Sequence, residues 1–334
     1  MTRQFLKGFL AVTILVAAVE ASNAQNTTTA PPAADDATKQ ETPVKTGQAT
    51  DAEKLLKQAA ENAVSRQQYE LKYNLIKDSE LRWNVEHTAT TKTHMGNVTE
   101  EMASRSQSVR RWKILNVDSI GNMTFEHSIE SVEMWQKTGD ENPVTYNSKS
   151  DKTPHQDYQA VSEKLNKTLA TFTVSPAGKI VNRQSSYESA HFGVGEVTIP
   201  LPDKPVSVGY KWYVPNKFTA ENEDGEVQQI AARVLFEVDK AVDGKVYLTF
   251  RTEILTPLTS EKVKSQLMQQ MNRGIAVFDL ELGMIVQKEV EWNEKVQGFE
   301  GPDSYLQYIA KLTEKLITDT PAASSANAKP LAPK

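Results

Sequence analysis

Five histidines, His87, His94, His127, His155 and His191, are the side chains best suited by type to metal binding or proton transfer. No two are four residues apart, so none form the i, i+4 pair that grips zinc from one helix face, and no His-Glu-x-x-His occurs. His87 and His94 fall on one predicted strand but seven apart, an odd spacing that turns them to opposite faces. The sequence therefore predicts no metal site, and neutral histidines at surfaces or interfaces. Cysteine is absent, which removes thiol nucleophiles and disulfides. There is no Gly-x-Ser-x-Gly elbow, and the Gly-x-Gly of His191–Glu196 lacks a third glycine and a following helix. Carboxylates such as Glu100, Glu101, Glu221 and Glu223 sit in polar turns, where a solvated charge is the default. A glycosidase with two acids far apart in sequence stays open as a third-ranked reading. No cofactor is expected.

Aromatic residues give a stronger pattern. Trp83, Phe125 and Phe172 stand at places equivalent to Trp212, Phe250 and Phe278. One reading is a plain hydrophobic core. The other is a ligand site on a concave β-surface, lined by Trp83, Phe125, Trp212 and Phe250.

That equivalence comes from an internal repeat. The stretch Leu165–Gln184 is echoed by Met271–Asn293: with Phe172 set on Phe278, Gly178 meets Gly283 and Ile180-Val181 meets Ile285-Val286. Apolar and polar residues alternate on both sides of each glycine, which is a β-hairpin signal. Before each hairpin lies a helical pattern, Tyr158/Val161/Leu165 and Val263/Leu267/Met271. Earlier strands match too: Met123-Thr-Phe125 with Leu248-Thr-Phe250, Leu115-x-Val117 with Phe236-x-Val238, and the strands of Trp83 and Trp212. Each unit reads strand, strand, strand, helix, strand, strand, over 69–183 and 202–293. The first carries a polar insert, Gln136–Asp157, read as a surface loop. Amphipathic patterns at 51–64 and 303–317 predict two flanking helices. The fold class is mainly β with a few helices (α+β), its two pseudo-repeats forming a large curved antiparallel sheet, a half-barrel or a sandwich.

The start reads as a secretory signal peptide, residues 1–24, with a basic head, the apolar run Phe9–Val19 and small residues before the cut. Residues 25–50 and 319–334 are poor in large apolar side chains and are read as disordered, leaving 51–318 as one β-rich domain. The net charge of −5 is made of interspersed signs, so nucleic acid is not an expected partner. No later run is apolar enough to span a bilayer. Export to the periplasm or the extracellular space follows as the expected localisation.

The blocks Tyr69–Thr93, Gly121–Trp135, Val197–Pro215 and the Phe278–Val286 hairpin resemble a family of secreted bacterial proteins of unknown function with a duplicated β-rich domain. The resemblance covers most of 69–316 and implies no activity or catalytic residues. One departure is the turn Ile76-Lys77-Asp78-Ser79, which lacks the glycine usual there. At fold level the chain is similar to LolA/LolB-type lipoprotein carriers. The resulting expectation is an exported, non-enzymatic protein binding an apolar or lipid-like ligand. An envelope structural or protein-interaction module is the alternative.

Overall fold

The computed structural model describes residues 67–186 and 197–318. The signal peptide, the 25–50 linker, the 51–64 helix, His191 and the 319–334 tail all lie outside these residues. The described chain forms a 12-stranded sheet that does not close into a barrel.

The first unit contributes β1 (Glu80–Met95), β2 (Val98–Val117), β3 (Met123–Thr138), β4 (Val144–Asn147), β5 (Ala170–Val174) and β6 (Ile180–Ser185), with a one-turn helix α1 (Gln159–Ser162) before β5. The second contributes β7 (Lys211–Glu221), β8 (Val227–Val242), β9 (Lys245–Ile254), helix α2 (Glu261–Leu267), β10 (Arg273–Asp279) and β11 (Met284–Gln297). The last strand is β12 (Ser304–Leu316). Across the sheet the order is β6-β5-β3-β2-β1-β12-β11-β10-β9-β8-β7, with β4 paired to β3 off this path.

Two expectations are corrected. The segment 303–317 is not a helix but the strand β12, paired with β1 from Trp83↔Leu316 and with β11 from Gln287↔Lys315. Its inner face alternates Leu306, Tyr308, Ala310 and Leu312, all buried. Parity explains the choice of strand. Every neighbouring pair is antiparallel, so β1 and β11 run the same way and need one strand of opposite sense between them. The insert is likewise not all loop, because Val144–Asn147 pairs with β3 as β4.

A β-bulge also shifts the pairing of β2. Ile114 pairs with Phe125, and Leu115 falls in the bulge before Asn116. β8 has the matching bulge between Val238 and Lys240, so by register Ile114 and Phe125 stand where Val238 and Leu248 stand, two residues off the Phe125–Phe250 match expected from the sequence.

Short-range chemistry sets the turns. Asp118 accepts from the backbone N of Ile120 and Asn122, and Asp279 from the N of Glu281 and Leu282. Ser260 caps α2 by accepting from Val263 N. Where the family-like block lacks its glycine, Asp78 takes φ 63° and Ser79 N bonds Ile76 O at 3.2 Å.

Two straps cross the inner face at one end of the sheet. Residues 69–75 run between the two echo hairpins: Tyr73 N bonds Pro176 O at 2.8 Å, and Asn74 N bonds Gly283 O at 2.9 Å. A side chain on Gly178 would meet the Tyr73 ring and the Ile199 carbonyl, and one on Gly283 would meet Asn74. The repeated hairpin glycines therefore serve twice, as left-handed turn residues (φ 72° and 62°) and as landing sites for a strap. The second strap, 197–206, buries Ile199, Leu201 and Val206 on the same core. That core is continuous over both units and includes Trp112, Phe172, Phe236, Phe278 and Trp292.

Candidate functional site

The four aromatics predicted as ligand-lining fall into two separate stacks. In the first unit Trp83 meets Trp112 at 4.3 Å between ring centroids, Trp112 meets Phe125 at 4.5 Å, and Phe125 meets Phe172 at 5.8 Å. Trp83 is 6 % exposed and Phe125 0 %. A void of about 30 Å3, room for one or two waters, lies beside Trp83. This end of the concave face is filled by the protein's own side chains and its straps.

In the second unit Trp212 stacks on Phe236 at 5.2 Å, and Phe236 on Phe250 at 5.8 Å. Trp212 is anchored through its Nε1–H to Pro200 O at 2.9 Å. The stack then stops. Opposite Phe250 on β10 stands Gly274, where the first unit has Phe172 opposite Phe125. A side chain at Gly274 would press on the Glu289 carbonyl and the Phe250 ring, so glycine is what lets β10 and β11 approach closely here. Phe250 is accordingly half-buried rather than sealed.

A cavity of about 350 Å3 reaches this Phe250–Gly274 pair. Its other walls are residues that alternate with the core positions: Leu235, Ile275, Arg251 and Arg273, with Glu237, Glu289 and Glu291 at the margins. Arg251 is held by Glu253 at 2.7 Å, and Glu289 by Lys311 at 2.9 Å. The Lys311 partner holds the Glu289 carboxyl below its ordinary value. Apolar floor and charged margins give a site that can take a small ligand with an apolar body and a polar head. A larger trough, about 500 Å3, lies at Asn84, Glu86, Gln107, Ser131 and Lys315, with Val85, Val109 and Val132 among its lining residues.

Sequence reasoning missed a buried charge cluster. Arg110 of the first unit and Lys288 of the second both bind Glu314 of β12, at 2.8 and 3.2 Å. Burial alone would raise the Glu314 carboxyl, but the two cations bring it down to about 2. It also missed His127, read as surface or interfacial. The structure corrects this: His127 is 1 % exposed, lies in register opposite Trp112, and both its ring nitrogens and the Trp112 Nε1 lack a partner. Burial, then the nearby Arg110 charge, pushes His127 down to about 3. His87 is also buried and lowered by burial. Period two between Phe125 and Ile129 could have flagged His127 as inward, and the lone glycine in a strand pattern could have flagged Gly274. Nothing in the sequence distinguishes Glu314 from the other acids.

Among the described residues no cluster of His, Asp and Glu is placed to hold a metal ion. No helix among them is long and apolar enough to cross a membrane.

No family model matches the chain, and no curated protein sequence does. Three solved structures show how it compares by shape. One, described as lipid-protein interactions in lipovitellin, matches at TM-score 0.44 and 11% identity, over 76% of this chain and 27% of that one. This chain thus spans about a quarter of the lipovitellin chain. The translocator domain of the autotransporter NalP from Neisseria meningitidis matches at TM-score 0.28 and 8% identity, over 80% and 96% of the two chains. The Salmonella SPI-1 type III secretion injectisome secretin InvG matches at TM-score 0.16 and 10% identity, over 83% and 69%. None of these places the chain in the secreted family or with the lipoprotein carriers that its sequence blocks resemble.

Proposed function

We propose that this is an exported, non-enzymatic protein that binds a small apolar or lipid-like ligand, and that it does so in the second unit. One observation carries the reading: a cavity of about 350 Å3 lies behind the Phe250–Gly274 pair, on the face of the sheet turned away from the core, walled by Leu235, Ile275, Arg251 and Arg273. Trp83 and Phe125 then serve as the packed counterpart that stiffens the scaffold, and Trp212 braces the stack from below. The cavity is at the small end of the usual ligand range, which suits a single acyl chain or a comparable amphipath rather than a whole diacyl lipid.

The test is a titration of the mature chain with a fluorescent fatty acid, together with mass spectrometry of a solvent extract of the purified protein. Saturable binding at one site is expected, lost in Ile275→Glu, a change at an exposed wall residue that spares the core. An empty extract together with no saturable binding would sink the proposal. Equal binding by the wild type and Ile275→Glu would move the site elsewhere.

A further inference from the structure

The open sheet has two edge strands, and they are not alike. At one edge β7 carries Lys211 at its start, Pro215 near its middle and Lys217 two residues on, the residue types that discourage a further strand from pairing. At the other edge all six residues of β6 are exposed, Ile180 to 46 % and Val181 to 59 %. β6 has no proline and no lysine, and among the described residues no strand pairs with its outer side.

Direction adds a second constraint. The two units lie in the same sense along the sheet, so β6 and β7 run parallel to each other. The gap between them therefore has the same parity as the one between β1 and β11, which a single strand, β12, fills. The gap is also narrow at its strapped end. There Thr198 Oγ1 donates to Gly178 O at 2.7 Å, at the head of β6, while Pro200 O accepts from the Trp212 indole of β7 at 2.9 Å. Two strap residues only two positions apart thus touch both sides.

Charge supplies the third observation. With Val181 set on Val286, Arg183 of β6 stands in the place of Lys288 of β11, the cation that holds the β12 carboxylate Glu314 at 3.2 Å. Arg183 is exposed and faces inward over the Phe172 ring at 5.7 Å. The second gap thus keeps the cation that clasps the inserted strand at the first.

We propose that β6 is a strand-addition site whose occupant is an extended segment of another protein, running antiparallel to β6 and turning a carboxylate toward Arg183. The proposal does not depend on ligand binding at Phe250.

A peptide with the β12 sequence, Ser304 to Leu316, is the natural probe, because it has the length, the alternation and the acid that fill the first gap. Added to the full chain, it should bind saturably and slow amide hydrogen exchange at 180–185. Arg183→Glu should weaken binding roughly 2- to 5-fold, as expected for an exposed ion pair, and a peptide carrying Glu314→Lys should restore it. A peptide N-methylated along one backbone edge should fail. Four outcomes overturn the proposal: no saturable binding, protection at β1 and β11 instead, indifference to N-methylation, or protection of 180–185 that rises with protein concentration without peptide, which would make a second copy the occupant.

Discussion

The two units differ most where their aromatic stacks end. In the first, Trp83, Trp112, Phe125 and Phe172 form an unbroken column of ring contacts. In the second, Trp212, Phe236 and Phe250 run out at Gly274. The same strand order and nearly the same inward residues thus yield a sealed core in one half and a half-open ring beside a cavity in the other. The difference lies at the end of each stack: Phe125 is met by the Phe172 ring across the β3–β5 pair, whereas Phe250 lies over Gly274, which has no side chain to extend the stack.

The largest effect should come from the residue that ties the halves together. Glu314→Ala leaves Arg110 and Lys288 buried without their shared carboxylate and should cost about 3–5 kcal/mol in urea unfolding. Acid tests the same link. The folded carboxyl titrates near 2, below its unfolded value, so its contribution is complete above the ordinary carboxylate range and fades as pH falls toward about 2.

Next comes the contrast between the stacks. Phe125→Ala should cost about 3–5 kcal/mol, as for a fully buried ring, and Phe250→Ala about 1–3 kcal/mol, since its ring is already partly in water. Equal costs would mean that the second unit is sealed as tightly as the first.

A second acid-linked effect, of the same sign as that of Glu314, is expected at His127. Its folded form resists protonation until about pH 3, whereas an unfolded histidine takes a proton near 6.5. The unfolded state binds more protons in that window, so stability should fall with acid by up to about 1.4 kcal/mol per pH unit. His127→Leu should flatten that slope and leave the neutral-pH midpoint close to wild type or above it, because it removes ring nitrogens that have no partner. Pro215→Val concerns the two edges and should change stability least, within about 0.5 kcal/mol. Its readout is sedimentation: restoring an N–H to the β7 edge should raise self-association.

Much of the fold could be read from the sequence. The paired hairpins, the turn glycines and α2 each rest on local signals that tertiary packing did not override. The strand β12 did not read correctly, and the reason is physical. Its sequence is rich in Leu, Lys, Glu, Gln and Ala, and Tyr305, Ile309, Leu312 and Leu316 repeat at helical spacing. Leu306, Tyr308, Ala310 and Leu312 repeat at strand spacing in the same residues. Local preference favours the helix, and the unpaired edges of β1 and β11 reverse it. The site was legible only in half. Trp212 and Phe250 were singled out by their places in the repeat, but what opens Phe250 is a glycine on a strand two dozen residues on, and that pairing is set by register. Trp112 and the Arg110–Glu314–Lys288 cluster depend wholly on which strands meet.

The lateness of β12 in the chain has a consequence for how the molecule comes into being. Among the described strands, the one that joins the halves comes last in sequence, and it pairs with the first. Until it arrives, β1 and β11 each expose a long edge, and, being of like sense, they cannot pair with each other in the antiparallel way used throughout the rest of the sheet. Closure is thus a final event with a very long loop to bridge, which makes it slow. A chain shortened by its last fifteen described residues would not lose a little stability at one end. It would be left with two incomplete sheets, each with a long unpaired border at β1 or β11.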